Sequence, residues 1–165
     1  MKNLIVVTLL ASLTLLVYAC GGFDCPSPSN NITWNSYGRF SFGKMGPDAT
    51  ARSCISSCGW SVFEGNDGGE GNTLQIAAPG DAVVFVWAYN NFAGFRVKEG
   101  WTGQTDQGVK LGDSQTTFLA HYPKFTANDP NQLTYSDTST EVTAYFDQKG
   151  LLTELNVGVP YISAP

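Results

Sequence analysis

Few side chains in this chain of 165 residues have the types and spacing that nucleophilic or metal chemistry requires. The single histidine, His121, is the sole candidate base for a Ser-His-acid mechanism, and no Gly-x-Ser-x-Gly turn accompanies it. Cys54 and Cys58 lack the C-x-x-C spacing of dithiol oxidoreductases. A copper site needs two histidines, and a zinc site lacks ligands for the same reason unless reduced cysteines supply them. We therefore expect no catalytic residue, no metal site and no cofactor.

A glycine-rich tract from Glu64 to Asn72 carries several carboxylates and amides, which are the hard oxygen ligands that Ca²⁺ prefers. Its spacing does not follow that of a helix-loop-helix calcium site, so a solvated loop is the favoured interpretation. The 14 acidic residues could also include a pair for glycoside hydrolysis, but nothing in their spacing selects one.

The composition narrows the class of protein further. The chain is 42% hydrophobic and only 14% charged, which is the reverse of the signature of disordered chains. Nine basic residues stand against 14 acidic ones, for a net charge of −5. Because a nucleic-acid backbone needs a concentrated basic surface, we expect no nucleic-acid partner.

The first part of the chain has the pattern of an export signal. Lys2 precedes an uncharged stretch from Asn3 to Gly22, whose apolar core from Leu4 to Ala19 is short for a membrane-spanning helix. A positive start, a short apolar region and small residues at the end are typical of a secretory signal. The sequence therefore predicts a signal peptide at residues 1–19 and an exported mature chain.

The end of that segment, Val17-Tyr18-Ala19-Cys20, resembles a bacterial lipoprotein signal. The resemblance implies that Cys20 is diacylated and tethers the protein to the membrane surface of a bacterial cell envelope. The alternative is an ordinary cleavage site, with Cys20 free or disulfide-bonded in a periplasmic or secreted protein. If Cys20 is acylated, the disulfide candidates are Cys25, Cys54 and Cys58, and one of these three thiols stays unpaired. If Cys20 is not acylated, the four cysteines can form two disulfides in three possible connectivities.

The remaining sequence predicts one domain. Residues 20–31 are rich in Gly, Pro, Ser and Asn and predict a tether or irregular lead-in. Residues 32–165 have the usual size of a single globular domain, which could divide into halves at 32–102 and 103–165.

In the first half, aromatic residues alternate with polar ones from Thr33 to Phe42 and indicate a strand. The apolar run from Ala82 to Tyr89 shows no alternation, which predicts a central strand covered on both faces. Phe95 and Val97 then alternate with charged residues and predict a half-buried partner strand.

In the second half, Gly108 to Gly112 predicts a short strand, and Ser114 to Tyr122 predicts the one principal helix, which Pro123 stops. Alternation from Glu141 to Asp147, followed by a turn and a strand with Leu151, Thr153, Leu155 and Val157 on one face, predicts a β-hairpin. The predicted fold class is α+β and β-rich, an antiparallel sheet with one principal helix packed on it.

This layout resembles small bacterial envelope lipoproteins, in which a Gly-(Ile/Val)-x-(Ile/Leu)-Gly-x-Ser turn opens a helix on an antiparallel sheet. Outer-membrane assembly lipoproteins and β-lactamase inhibitory proteins show related arrangements. The resemblance covers about a third of the chain and is carried by Gly108, Val109, Leu111, Gly112, Ser114, Phe118, Leu119 and Tyr122. It implies a protein that binds other proteins or stabilises an envelope assembly, with no catalytic residues to carry over.

Aromatic residues indicate an alternative function, the binding of carbohydrate. Trp60 and Trp101 lie beside glycines, so we expect them to be exposed and able to bind sugar rings, whereas Trp87 belongs to the core. The sequence thus favours an exported, lipid-anchored envelope protein that acts as a non-catalytic protein-binding or scaffolding module. A carbohydrate-binding module is the alternative, and an unrecognised hydrolase is third.

Overall fold

The computed structural model describes residues 26–38, 40–42, 44–66 and 72–159. Two α-helices lie in this part of the chain, α1 (Ala49–Ser57) and α2 (Gln115–His121), with a short 3₁₀ turn at Pro79–Asp81. The strands are β1 (Ile32–Thr33), β2 (Ser36–Tyr37), β3 (Phe40–Ser41), β4 (Ser61–Asn66), β5 (Asn72–Ala77), β6 (Val83–Ala88), β7 (Asn91–Val97), β8 (Thr126–Asp129), β9 (Gln132–Ser136), β10 (Glu141–Phe146) and β11 (Leu152–Gly158).

The β-rich α+β class is confirmed. Eight strands form one antiparallel sheet in the order β4-β5-β6-β7-β11-β10-β9-β8. Each half of the chain contributes a helix followed by four strands, and the two halves join where β7 pairs with β11. The buried pattern Phe92-x-x-Phe95-x-Val97 of β7 recurs as Leu152-x-x-Leu155-x-Val157 in β11. The sheet is therefore built as two similar units around a central strand pair.

The predicted C-terminal hairpin is confirmed as β10 and β11. Its pairing shifts by one residue between Tyr145 and Phe146, because a bulge lies there. The predicted face of the second strand is wrong at its start for this reason, since Leu152 is buried and Leu151 is 36% exposed.

The predicted helix is present as α2, where the Ser114 hydroxyl accepts a hydrogen bond from the Thr117 amide at 3.1 Å. The sequence did not predict α1, whose first turn is capped by Asp48, a carboxylate that accepts a bond from the Ala51 amide at 2.8 Å. The short strand predicted at 108–112 is wrong, because the chain turns back there and the Val109 amide bonds the Thr105 hydroxyl at 3.0 Å.

The single strand predicted from Thr33 to Phe42 is instead the three-stranded meander β1-β2-β3. The chain reverses between β1 and β2 and again at Gly38, whose φ of +55° suits glycine. Residues 26–31 have no helix or strand and are tied to the domain by hydrogen bonds. The Tyr37 hydroxyl donates to the Ser27 carbonyl at 2.6 Å, and the Trp101 indole donates to the Asn30 carbonyl at 3.0 Å.

One face of the eight-stranded sheet carries the core. Ile55 of α1 and Phe118 of α2 belong to the same buried cluster as Phe85 and Phe146. The meander packs on this face too, since the Tyr37 ring lies 4.9 Å from the Phe85 ring. Buried aromatic side chains of this size supply most of the hydrophobic stabilisation, about 1.5–3 kcal/mol each.

On the other face of the sheet, none of the residues that the structure describes covers the centre. In β6, Val83, Phe85 and Trp87 are buried, whereas Val84 and Val86 on the opposite face are only half-buried. The prediction that this strand is covered on both faces is therefore wrong. Within the described residues, no helix has the length and apolarity needed to cross a bilayer.

Candidate functional site

The two tryptophans predicted to be exposed are buried instead. Trp60 is 5% exposed and stacks on Phe85 with ring centroids 5.6 Å apart, and Trp101 is 4% exposed. That expectation is wrong, because each glycine beside them is a turn that directs the following side chain into the core rather than a sign of exposure. Neither ring can therefore serve as a sugar-binding platform.

The cysteine predictions are tested only in part of the chain. Cys54 and Cys58 lie on and directly after α1, one helical turn apart, and neither is a free thiol. Cys20 and Cys25 lie outside the described residues. The disulfide connectivity and the acylation of Cys20 both stay predictions.

The candidate calcium tract is largely strand where it is described. Glu64 to Asn66 belong to β4 and Asn72 to β5, so the loop prediction is wrong for these ends, and residues 67–71 lie outside the described part. The Glu64 carboxylate pairs with the Arg52 guanidinium at 3.3 Å. No cluster of metal-ligating side chains occurs in the ranges that the structure describes.

A hollow of about 430 Å³ lies on the open face of the sheet. All of its lining residues belong to β5, β6, β7, β10 and β11 or follow β11 directly. Val84, Arg96, Asn156 and Thr143 are cross-strand neighbours in one row across it. The next row consists of Gln75, Val86, Gly94, Gly158 and Glu141. The site therefore sits where the two halves of the sheet join.

Two glycines leave the floor of the hollow as bare backbone. Gly94 and Gly158 face each other across β7 and β11. A Cβ added at Gly94 would overlap the carbonyl oxygen of Val157, so the strands approach there as only glycine permits. A Cβ at Gly158 would meet only the Ala93 carbonyl oxygen, at 3.6 Å, and would project into the hollow.

Arg96 is the cation of this site. Its side chain is half-buried, and its Nε atom is buried with no hydrogen-bond partner. Among the described residues, no carboxylate lies within 4.0 Å of its guanidinium. An unsatisfied buried donor costs free energy, because its hydrogen bonds to water are lost and not replaced.

A second, smaller pocket of about 270 Å³ lies near α2 and is mainly aromatic. Trp34, Tyr122, Phe125 and Tyr135 form its walls, with the Trp34 and Tyr122 rings 4.6 Å apart. Burial raises the pKa of the Tyr122 hydroxyl, which donates to Asp106 at 2.8 Å. His121 lines this pocket and is exposed.

Nearby, amides and hydroxyls stabilise an exposed carboxylate. Asp137 accepts bonds from the Ser139 amide and hydroxyl, the Thr140 amide and the Tyr135 hydroxyl, all within 3.0 Å. The first of these amides and the two hydroxyls lower the pKa of Asp137 to about 2. The carboxylate closes the turn between β9 and β10 and is structural.

One feature of the sequence indicates which face of the sheet carries the hollow. Arg96 stands between two buried residues, so alternation alone places it on the outer face of β7.

No family model, no curated protein sequence and no solved structure matches this chain.

Proposed function

We propose that this protein is a non-catalytic binding module that recognises a protein partner on the open face of its sheet. One observation carries the proposal: the core lies on one face of an eight-stranded sheet, and the centre of the opposite face is a hollow that no described residue covers. The hollow is polar and apolar in comparable measure, as non-obligate protein interfaces are.

The dimensions of the face suit a partner of protein size. Strands lie roughly 4.8 Å apart and rise roughly 3.4 Å per residue, so eight strands of about six residues give a face of roughly 700 Å². A standard interface buries about 800 Å² on each partner. Phe63, which is 58% exposed, extends the apolar part of this face on β4.

The chemistry of the described residues supports binding rather than turnover. His121 is exposed at the end of α2, and its imidazole has no hydrogen bond or ion pair with another described side chain. The one close ion pair of that part, Arg52 with Glu64, joins two surface side chains.

The setting of this function is a further part of the proposal. The signal-like segment at residues 1–19 supports export, and its resemblance to lipoprotein signals supports attachment to the bacterial envelope through Cys20. A module tethered in this way would meet its partner at the membrane surface and act as a scaffold in an envelope assembly.

The proposal is tested by filling the hollow. Gly158→Trp places a large side chain in the hollow with no backbone obstacle, and Ser56→Trp adds the same side chain on exposed α1 as the matched control. We expect capture of a discrete partner from the protein's own envelope to be lost in Gly158→Trp and kept in Ser56→Trp. Equal capture by both variants, with both folded, would reject the open face as the interface.

A glycan is the second candidate ligand, and the aromatic pocket is the observation that favours it. Trp34 and Tyr135 are half-buried there and present part of their rings to the pocket. Binding to a glycan panel that is lost in Tyr135→Ala and kept in Gly158→Trp would place glycan recognition in this pocket.

A further inference from the structure

We infer that Arg96 anchors an acidic side chain of the protein partner, a carboxylate that enters the hollow from the open face. The inference rests on the proposed function and names the chemistry of its partner. Its basis is a cation at the centre of the face whose hydrogen-bonding capacity the described structure leaves unused.

The unused hydrogen-bonding capacity lies on the guanidinium group of Arg96. A guanidinium has five N–H donors in a planar fork that matches the two oxygens of a carboxylate. The Nε donor of Arg96 is buried and has no acceptor. Because nearly all buried donors in folded proteins are satisfied, an unsatisfied one on a side chain that lines a hollow indicates that the guanidinium shifts there to meet an acceptor on a ligand.

The Arg96 guanidinium has no ion-pair partner among the described residues. The cross-strand neighbours of Arg96 are Val84 on one side and Asn156 on the other, and both are neutral. In the repeated pattern of the two halves, Asn156 of β11 is the counterpart of Arg96 in β7. The centre of the face thus carries one positive charge where the other half carries an amide.

Among the described residues that line the hollow, Glu141 alone carries a carboxylate. It lies on β10, which β11 separates from β7, so the two backbones are about 10 Å apart. No ion pair within 4.0 Å joins Glu141 to Arg96, and from its position on β10 the carboxylate of Glu141 repels an incoming carboxylate weakly. Removing its charge should therefore tighten binding of an acidic side chain.

The apolar lining favours a carboxylate on an alkyl stem. Val84, Val86 and Val159 line the same hollow and offer a surface to methylene groups. An aspartate or glutamate side chain of a partner provides both parts, because its carboxylate pairs with the guanidinium while its stem covers the valines.

The test uses the ¹⁵N-labelled full chain and two small probes, N-acetyl-glutamate methylamide and the neutral N-acetyl-glutamine methylamide. We expect the glutamate probe to shift the Arg96 Nε–H signal and the Gly94 and Gly158 amide signals saturably at millimolar concentration. The glutamine probe should bind about tenfold more weakly. Glu141→Gln should tighten binding of the glutamate probe, and Arg96→Met should abolish the signal shifts that this probe causes.

Several results would overturn the inference: equal shifts from both probes, no shift from either, or glutamate shifts that persist in Arg96→Met. Arg96→Met removes an unsatisfied donor, so its unfolding midpoint should be no lower than that of the wild type. Partner capture separates this inference from the proposed function. Capture lost in Gly158→Trp but kept in Arg96→Met rejects only the role of Arg96, whereas capture kept in both rejects the interface itself.

Discussion

A methyl group at Gly94 should weaken the joint between the two halves of the sheet. In Gly94→Ala, the Cβ would overlap the carbonyl oxygen of Val157 and lie 3.0 Å from the Cα atom of Gly158. These are backbone atoms of β11, so relief requires the two central strands to separate. Overpacking of this kind costs about 1–3 kcal/mol, and we expect the upper end because no flexible side chain can yield.

Gly158→Ala is the matched variant on the opposing strand. Its Cβ would meet only the Ala93 carbonyl oxygen at 3.6 Å, which is ordinary contact, and Gly158 does not have a positive φ. Replacing glycine where alanine fits stabilises a protein by about 0.4–1 kcal/mol, since the unfolded chain loses entropy. The two substitutions therefore differ by more than 3 kcal/mol in expected effect, although they add the same methyl group to facing residues.

Urea unfolding followed by circular dichroism measures both free energies, and the thermal midpoint of Gly94→Ala should fall by about 6–12 °C. The close approach of β7 and β11 would be incorrect if the free energy of unfolding of Gly94→Ala lies within 0.5 kcal/mol of the wild-type value. It would also be incorrect if Gly158→Ala is less stable than Gly94→Ala.

Further perturbations act on single features of the fold. Ser114→Ala removes the cap of α2 and should lower the free energy of unfolding by about 1 kcal/mol in urea. The pKa of Asp137 is lowered to about 2 from 3.8, so its contribution to stability is present above pH 3.8 and lost as the pH falls through about 2; Asp137→Ala should flatten that part of an acid-unfolding profile. Neither Cys54 nor Cys58 is a free thiol, and if Cys20 is acylated as predicted, non-reducing peptide mapping should show cross-links at these two cysteines that do not include Cys20. Cys20 in a cross-link would contradict its predicted acylation.

Local signals predicted the elements whose pattern is complete within a short segment. Ser114 and Pro123 bracket α2, and the alternation from Glu141 gives the strands of the C-terminal hairpin. The sequence of α1 lacks an apolar stripe, because it is rich in Ser, Thr and Ala, and of its described side chains Cys54 and Ile55 alone are deeply buried. The Asp48 cap is a local signal, but the helix also depends on packing against the sheet, which a local pattern does not contain.

The candidate site depends on contacts between distant parts of the chain. β6 is apolar on both faces, so its sequence does not show which face a helix covers. The pairing of Gly94 with Gly158 joins residues from different halves, and no turn between them specifies it. The burial of Trp101 likewise depends on the lead-in, whose Asn30 carbonyl accepts its indole proton. Alternation places Arg96 on the outer face, but only the assembled sheet shows that its Nε atom has no partner.

Site-specific photocross-linking in the intact envelope tests the central proposal most directly. A photoreactive side chain at Thr143, in the row that contains Arg96, lies on the open face, and the same side chain at Ser56 lies on exposed α1. We predict that the Thr143 position yields a discrete protein adduct on irradiation and that the Ser56 position does not. An adduct from Ser56 alone, or none from Thr143 in the folded and exported protein, would contradict the assignment of the open sheet face as the partner-binding surface.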